Sequence, residues 1–292
     1  MTDSSRVTVS ALRAFAAVAR TGSFTAAAEA LGVSQPSVSA AVARLESRGG
    51  EPLLRREQAG TTLTPHGRRV LERALPALAA LDEVEAALSG ADSSELTLGF
   101  MGEAAGTRTS KVINMLRERL GIRLALRRFD FDDPTCGLLT GDSDLAVIWP
   151  PVSTDALETL PLATDRRAIA LPVGHPLAAR LDLHPDELHG LAWVTPRSPD
   201  SEWARFRAPA AIGATGGQRA AESAALEETL ELVAAGVGIA LVSMSTDQHY
   251  ARSGVVIVPL RGDHHCTTVL AWRREDARPS ITAAVEHLRA SL

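Results

Sequence analysis

The sequence predicts an all-α head built around a helix-turn-helix, one long helix, and an α/β C-terminal half. Three observations carry that expectation. Between Val9 and Glu46, alanine- and leucine-rich helical spacing is broken by glycines; from Pro65 to Ser89 leucines recur at three-, four- or seven-residue intervals; after Ser94 period-two apolar stretches alternate with helical ones. With 292 residues, 45% of them hydrophobic, the chain can bury more than one core. It contains no uninterrupted apolar run of about 18 residues, and its start, MTDSSRVTVS, lacks the basic-then-apolar order of a signal peptide. A cytosolic protein without membrane contact is expected.

The elements follow in order. Val9 to Arg20 places Leu12, Phe15, Ala16 and Ala19 at helical spacing, and Gly22 ends the pattern. Ser23 can cap a short second helix whose apolar face is Ala27, Ala28 and Leu31, and Gly32 permits a sharp turn. Ser34 caps a third helix, Pro36 fits its first turn, and Val38, Val42 and Leu45 form its inward stripe. Short helix, glycine turn and longer helix make a helix-turn-helix, in which the first turn of the second helix points into the major groove. Ser34, Gln35, Pro36, Ser37 and Ser39 would then reach base edges. Up to His66 the chain carries seven arginines against five carboxylates, a basic lean inside a chain of net charge -5.

The blocks GSFTAAAEALGVSQPSVSAAVARLE, PLLRR and LTPHG, within Leu12 to Gly67, resemble the DNA-binding domain of the LysR-type transcriptional regulators. The resemblance implies a winged helix-turn-helix, with a wing from about Glu51 to Leu63 in which Arg55 and Arg56 meet phosphates. Ala40-Ala41 and Ala59 stand where the family is commonly polar or basic, so fewer phosphate contacts are expected. Pro65 to Ser89 resembles the family's linker helix, about 35 Å long at 1.5 Å per residue. Its leucine stripe, Leu71, Leu75, Leu78, Leu81 and Leu88, would then face a partner subunit, and Pro76 should kink it.

Ser89 to Ser94 reads as a linker. Strands are expected at Glu95–Met101, Ile122–Arg128, Asp144–Trp149, 167–172, 191–195, 239–243, 255–260 and Thr267–Arg273, with helices at Thr107–Leu120, Leu226–Ala235 and Pro279–Leu292. LTGDSDLAVI, GHPLA and ELVAAGVGIALV resemble the family's effector domain, a two-lobed, periplasmic-binding-protein-like α/β fold. The resulting division is a winged helix-turn-helix over 1–64, a dimerisation helix over 65–89, and an effector domain over 94–292. Lobe I takes about 94–163 and 265–292, and lobe II about 164–264.

Family effector sites lie at strand ends and helix N-termini between the lobes. Mapped here, lobe I offers Gly102, Glu103, Thr107, Asp130 and Trp149, and lobe II offers Thr195, Arg197, Ser198 and Ser223, with Arg197 the cation for an acidic ligand. The partners implied are a double-stranded DNA operator, a small-molecule effector, further copies of the chain as dimer and tetramer, and RNA polymerase. No cofactor is expected. His264-His265-Cys266 lacks metal-ligand spacing, since successive strand residues face opposite sides. Cys136 and Cys266 leave room for a thiol pair, with no thiolate-stabilising neighbour in sequence. GxSxG, HExxH, GxxxxGK[ST] and GxGxxG are absent, so an enzyme is not expected. The rival class is a two-lobed binding protein whose helical head mediates protein contacts.

Overall fold

The computed structural model describes residues 7–57, 60–88, 95–120 and 123–291. The linker Ser89–Ser94 and the wing position Ala59 lie outside them.

The head comprises α1 (Val9–Thr21), α2 (Phe24–Leu31) and α3 (Gln35–Gly49), followed by the antiparallel strands β1 (Leu54–Glu57) and β2 (Gly60–Leu63). Each helix has a side-chain cap and a glycine stop. Thr8, Ser23 and Ser34 accept amide hydrogen bonds at the N-termini, while Gly22, Gly32 and Gly50 take left-handed backbone at the C-termini. Phe15, Val18, Ala27, Val38, Val42 and Leu45 form one core with Leu53, Leu71 and Leu75. The wing is anchored to α3 because the Glu46 carboxylate accepts the amides of Leu53 at 2.9 Å and Leu54 at 3.2 Å. LTPHG has a local explanation. Thr64 caps the next helix by accepting the Gly67 amide, and a Cβ on Gly67 would stand 1.9 Å from the Leu53 carbonyl oxygen.

The long helix α4 runs from Pro65 to Leu88 as one element with Pro76 inside it. Its leucine stripe corrects the sequence expectation. Leu71, Leu75 and Leu78 are buried within this chain, the first two in the head core, whereas Leu81, Val84 and Leu88 are exposed. The apolar spacing reported burial but not against which surface.

The second half contains β3 (Glu95–Met101), α5 (Gly102–Leu120), β4 (Arg123–Phe129), β5 (Leu145–Ile148), the 16-residue β6 (Leu157–Pro172), β7 (Ala192–Pro196), α6 (Ser201–Phe206), β8 (Gln218–Ser223), α7 (Leu226–Ala234), β9 (Ala240–Ser243), α8 (Ser245–His249), β10 (Val255–Pro259), β11 (His265–Arg273) and α9 (Pro279–Ser291). In the seven-stranded sheet the order is β10-β6-β11-β5-β3-β4, with β9 also on β6; β7 and β8 form a parallel pair beside it. β3, β4 and β5 are parallel, which places their C-terminal ends on one side. The antiparallel β6 and β11 are the crossing strands: β6 pairs β11 from Leu157 to Arg166 and then β9 and β10 up to Pro172, passing from lobe I into lobe II.

The lobe I loop after Cys136 rests on the head. Arg20 of α1 lies 3.9 Å from Asp142, which also pairs with Arg127 at 2.5 Å. Beneath that loop Arg273, Asp276, Arg278 and Asp144 form a largely buried ionic network.

Candidate nucleic-acid interface and effector cleft

The first turn of α3 is presented outward by the turn at Gly32. Ser34, Pro36 and Ser37 are exposed, and Gln35 and Ser39 half-buried. The Ser34 and Ser37 hydroxyls bond each other at 2.8 Å, and Ser34 also accepts the Ser37 amide. Each hydroxyl retains further hydrogen-bonding capacity, so the pair is held in place without being used up. Ala40 is exposed but Ala41 is buried among the core residues. Of that alanine pair only Ala40 therefore costs a surface contact.

Arg55 and Arg56 are both exposed on β1. The Arg56 guanidinium sits 5.0 Å from the centre of the Phe24 ring at the start of α2, which braces the wing against the helix-turn-helix.

The cleft lies where β3, β4 and β5 end. The Gly102 carbonyl accepts the hydroxyl of Tyr250, the single tyrosine of the chain. Asp130 and Glu227 share Arg128, at 3.0 and 2.7 Å, the second pair joining β4 of lobe I to α7 of lobe II. The Phe131 amide donates to the Ala224 carbonyl at 2.9 Å, a backbone bond across the same boundary. Ser223 is buried with its hydroxyl 2.7 Å from that of Thr229, and the Ala224 amide donates to the Glu228 carboxylate at 2.6 Å. The start of α7 thus already receives a carboxylate from its own helix.

Thr195 lies on β7 opposite Glu222, and Ser198 accepts the Asp200 amide at 3.3 Å. Arg197 has an exposed side chain, and its amide donates to Ser223 at 2.8 Å. Trp149 does not line open space. It is 5% exposed, its indole donates to Thr268 at 3.0 Å, and the guanidinium of Arg207 lies 4.7 Å from the centre of its ring. Glu103 and Thr107 lie on α5, and their side chains are outside the described residues.

The family model of the bacterial regulatory helix-turn-helix protein, lysR family, matches residues 9–68, and that of the LysR substrate binding domain matches residues 89–292. The chain belongs to the LysR family. It is a DNA-binding transcriptional regulator with an effector-binding domain. Among curated relatives, the Hca operon transcriptional activator HcaR of Escherichia coli is 29% identical over 92% of this chain and 93% of its own length. The regulator IlvR of Caulobacter vibrioides is 31% identical over the same shares of the two chains. A probable hydrogen peroxide-inducible genes activator of Mycobacterium xenopi is 37% identical over 59% of this chain and 94% of its own length. Among solved structures, a full-length OxyR variant from Pseudomonas aeruginosa is 22% identical, covering 98% of this chain and 94% of that one with a TM-score of 0.65. Full-length BenM is 26% identical, covering 97% and 96%, with a TM-score of 0.54.

In this LysR regulator several cleft residues escape a motif-based reading. Arg128 and Glu227, 99 residues apart, and Gly102 and Tyr250, 148 residues apart, meet only through the fold. Trp203 and Arg207 carried a weak local signal, an aromatic and an arginine four apart behind the cap Asp200. Among the described residues no group of three or more His, Cys, Asp or Glu is arranged to hold a metal ion. Cys266 points inward on β11, while His265 points outward and pairs with Asp263 at 2.8 Å.

Proposed function

We propose that this regulator reads its operator through the first turn of α3 and reports a small molecule held between its two lobes. Ser34, Gln35, Pro36, Ser37 and Ser39 take the base edges, and Arg55 and Arg56 take the phosphates. The observation that carries this reading is the junction of Arg56 with Phe24. A cation braced on α2 is pre-positioned for the backbone beside the helix that enters the groove. The effector site we assign comprises Gly102, Asp130, Thr195, Ser198 and Ser223, with Glu103 and Thr107 on α5 and with Trp149 and Arg197 at its margins. The mechanism is population shift: a ligand favouring one lobe arrangement changes the presentation of the heads.

Some relatives are named as hydrogen peroxide-inducible genes activators. Two observations favour ligand binding over thiol oxidation in this chain. Burial, then the carboxylates of Asp133 and Asp130, push the Cys136 thiol well above its ordinary range, away from the reactive thiolate. Cys266 is also buried, its sulfur 3.6 Å from the Asp165 carbonyl oxygen.

A gel shift against the DNA upstream of the chain's own coding region, at stated salt, tests the DNA reading. Binding that does not distinguish that DNA from scrambled sequence defeats it. A thermal-shift screen of metabolites tests the second half, because a ligand selective for the folded chain raises its apparent stability.

A further inference from the structure

The seam between the lobes is filled by the chain itself. Trp203 on α6 is fully buried, and its ring centre lies 5.2 Å from that of Phe131, which follows β4. Arg207, just beyond α6, is 5% exposed; its guanidinium lies 3.7 Å from the Trp203 ring centre and donates to the Trp149 carbonyl at 3.4 Å. Phe131, Trp203, Arg207 and Trp149 therefore form a continuous stack with lobe I residues at both ends and lobe II residues between them. A second fastening lies at the rim. Asp200, the cap of α6, accepts the amide and the hydroxyl of Ser153, both at 2.7 Å.

These contacts close the seam at a cost. A buried guanidinium has lost its hydration, and here cation–π contacts and carbonyl bonds stand in for it. The Trp203 indole nitrogen is also buried, with no hydrogen-bond partner among the described residues. A buried donor without an acceptor favours any state that supplies one. α6 is only six residues long and is joined to β7 through Arg197–Pro199, so it can move without breaking a sheet.

We propose that α6 is a displaceable plug: Trp203 and Arg207 fill the interlobe space when the seam is closed, and α6 withdraws as a unit before an effector enters. The entry of an effector rests on the function proposed above. The withdrawal of α6 does not, and it is measured without any ligand.

The test is hydrogen-exchange mass spectrometry on the full chain at neutral pH. In the wild type, amides 200–207 should exchange by a local opening, at least about tenfold faster than those of β5, which follow global unfolding. Ser153→Ala with Asp200→Asn, at the rim and outside the stack, should speed exchange of 200–207 and of the Phe131 amide while leaving β9 unchanged. A disulfide from Ser153→Cys with Asp200→Cys should slow exchange of 204–207, whose amides do not use the Asp200 carboxylate, below wild type, and reductant should reverse the effect. Exchange of 200–207 at the β5 rate in the wild type, with 204–207 unmoved by the disulfide, would overturn the proposal and make the stack a permanent part of the core. That result would leave the assigned DNA interface and effector site standing. Failure of the metabolite screen in a chain whose α6 opens would count against the effector reading alone.

Discussion

Leu75 of α4 packs directly on Gly141 of lobe I: a Cβ at Gly141 would lie 2.5 Å from the leucine Cδ2 atom, and the glycine has a φ of +79°. The helix that carries the head and the domain that senses the ligand therefore touch at a position suited to glycine. Arg20 and Asp142 flank the same contact at 3.9 Å.

Gly141→Ala should consequently weaken both the loop and the head contact. The left-handed backbone costs about 1 kcal/mol or somewhat more, and Leu75, buried in the head core, must shift to make room. Urea denaturation should show that loss, and limited proteolysis should cut near the 89–94 segment faster than in wild type. Unchanged proteolysis would mean that the contact does not hold the two domains together.

Within the head, Gln35→Ala should lose about 1–3 kcal/mol of discrimination at one half-site position while leaving nonspecific binding nearly unchanged. Arg56→Ala should weaken every sequence and flatten the salt slope by about one unit. Because Arg56 also stacks on Phe24, Arg56→Lys should restore only part of the affinity, as lysine keeps the charge but loses the planar stack. Titrations of operator and scrambled DNA at several salt concentrations separate these outcomes.

The burial pattern of α4 replaces the expectation that Leu78 faces a partner subunit. Leu78→Glu should now destabilise the protomer, by about 2–5 kcal/mol for the loss of a buried leucine, and lower its melting temperature. Val84→Glu, at a position 55% exposed, should leave the protomer intact and disrupt the dimer. Light scattering that finds the Val84 variant still dimeric would remove α4's exposed end from the interface.

How much of this could be read from the chain depended on how local the cause was. The head was legible because caps and stops sit beside the helices they bound: Ser34 for α3, and Gly22, Gly32 and Gly50 at the helix ends. The full length of β6 was not, since Pro161 and a register shift opposite Thr268 and Val269 interrupt its alternation. β8 escaped notice because QRAAES is mostly exposed and lacks an apolar face. α5 begins at Gly102, five residues before the helical pattern suggested. In the cleft, strand ends marked Gly102 and Asp130, but the buried cation beside Trp149 proved to be Arg207, because Arg197 projects into solvent. Only packing distinguishes those two arginines.

Acid should loosen the same interdomain contact through Asp276. Burial alone would raise the pKa of this carboxyl, but hydrogen bonds from Arg278, then the charges of Arg278 and Arg273, outweigh it and hold the group below the usual carboxylate range. A folded-state pKa below the unfolded value, about 3.9, means that stabilisation is present above that pH and is lost as pH falls through the folded value. Arg273 also donates to the carbonyls of Leu138 and Ser143, at 3.0 and 2.7 Å, so the network fixes the loop that carries Gly141 and Asp142. Asp276→Asn leaves two guanidiniums undercompensated and should cost about 3–5 kcal/mol at neutral pH. The gap between wild type and variant should narrow once pH falls below about 4, because the unfolded wild type then takes up a proton at Asp276 that the folded form, with its lower pKa, still resists. The variant should also share the faster cleavage near 89–94 expected for Gly141→Ala. A constant gap in unfolding free energy from pH 7 down through pH 3 would show that Asp276 does not contribute through its charge.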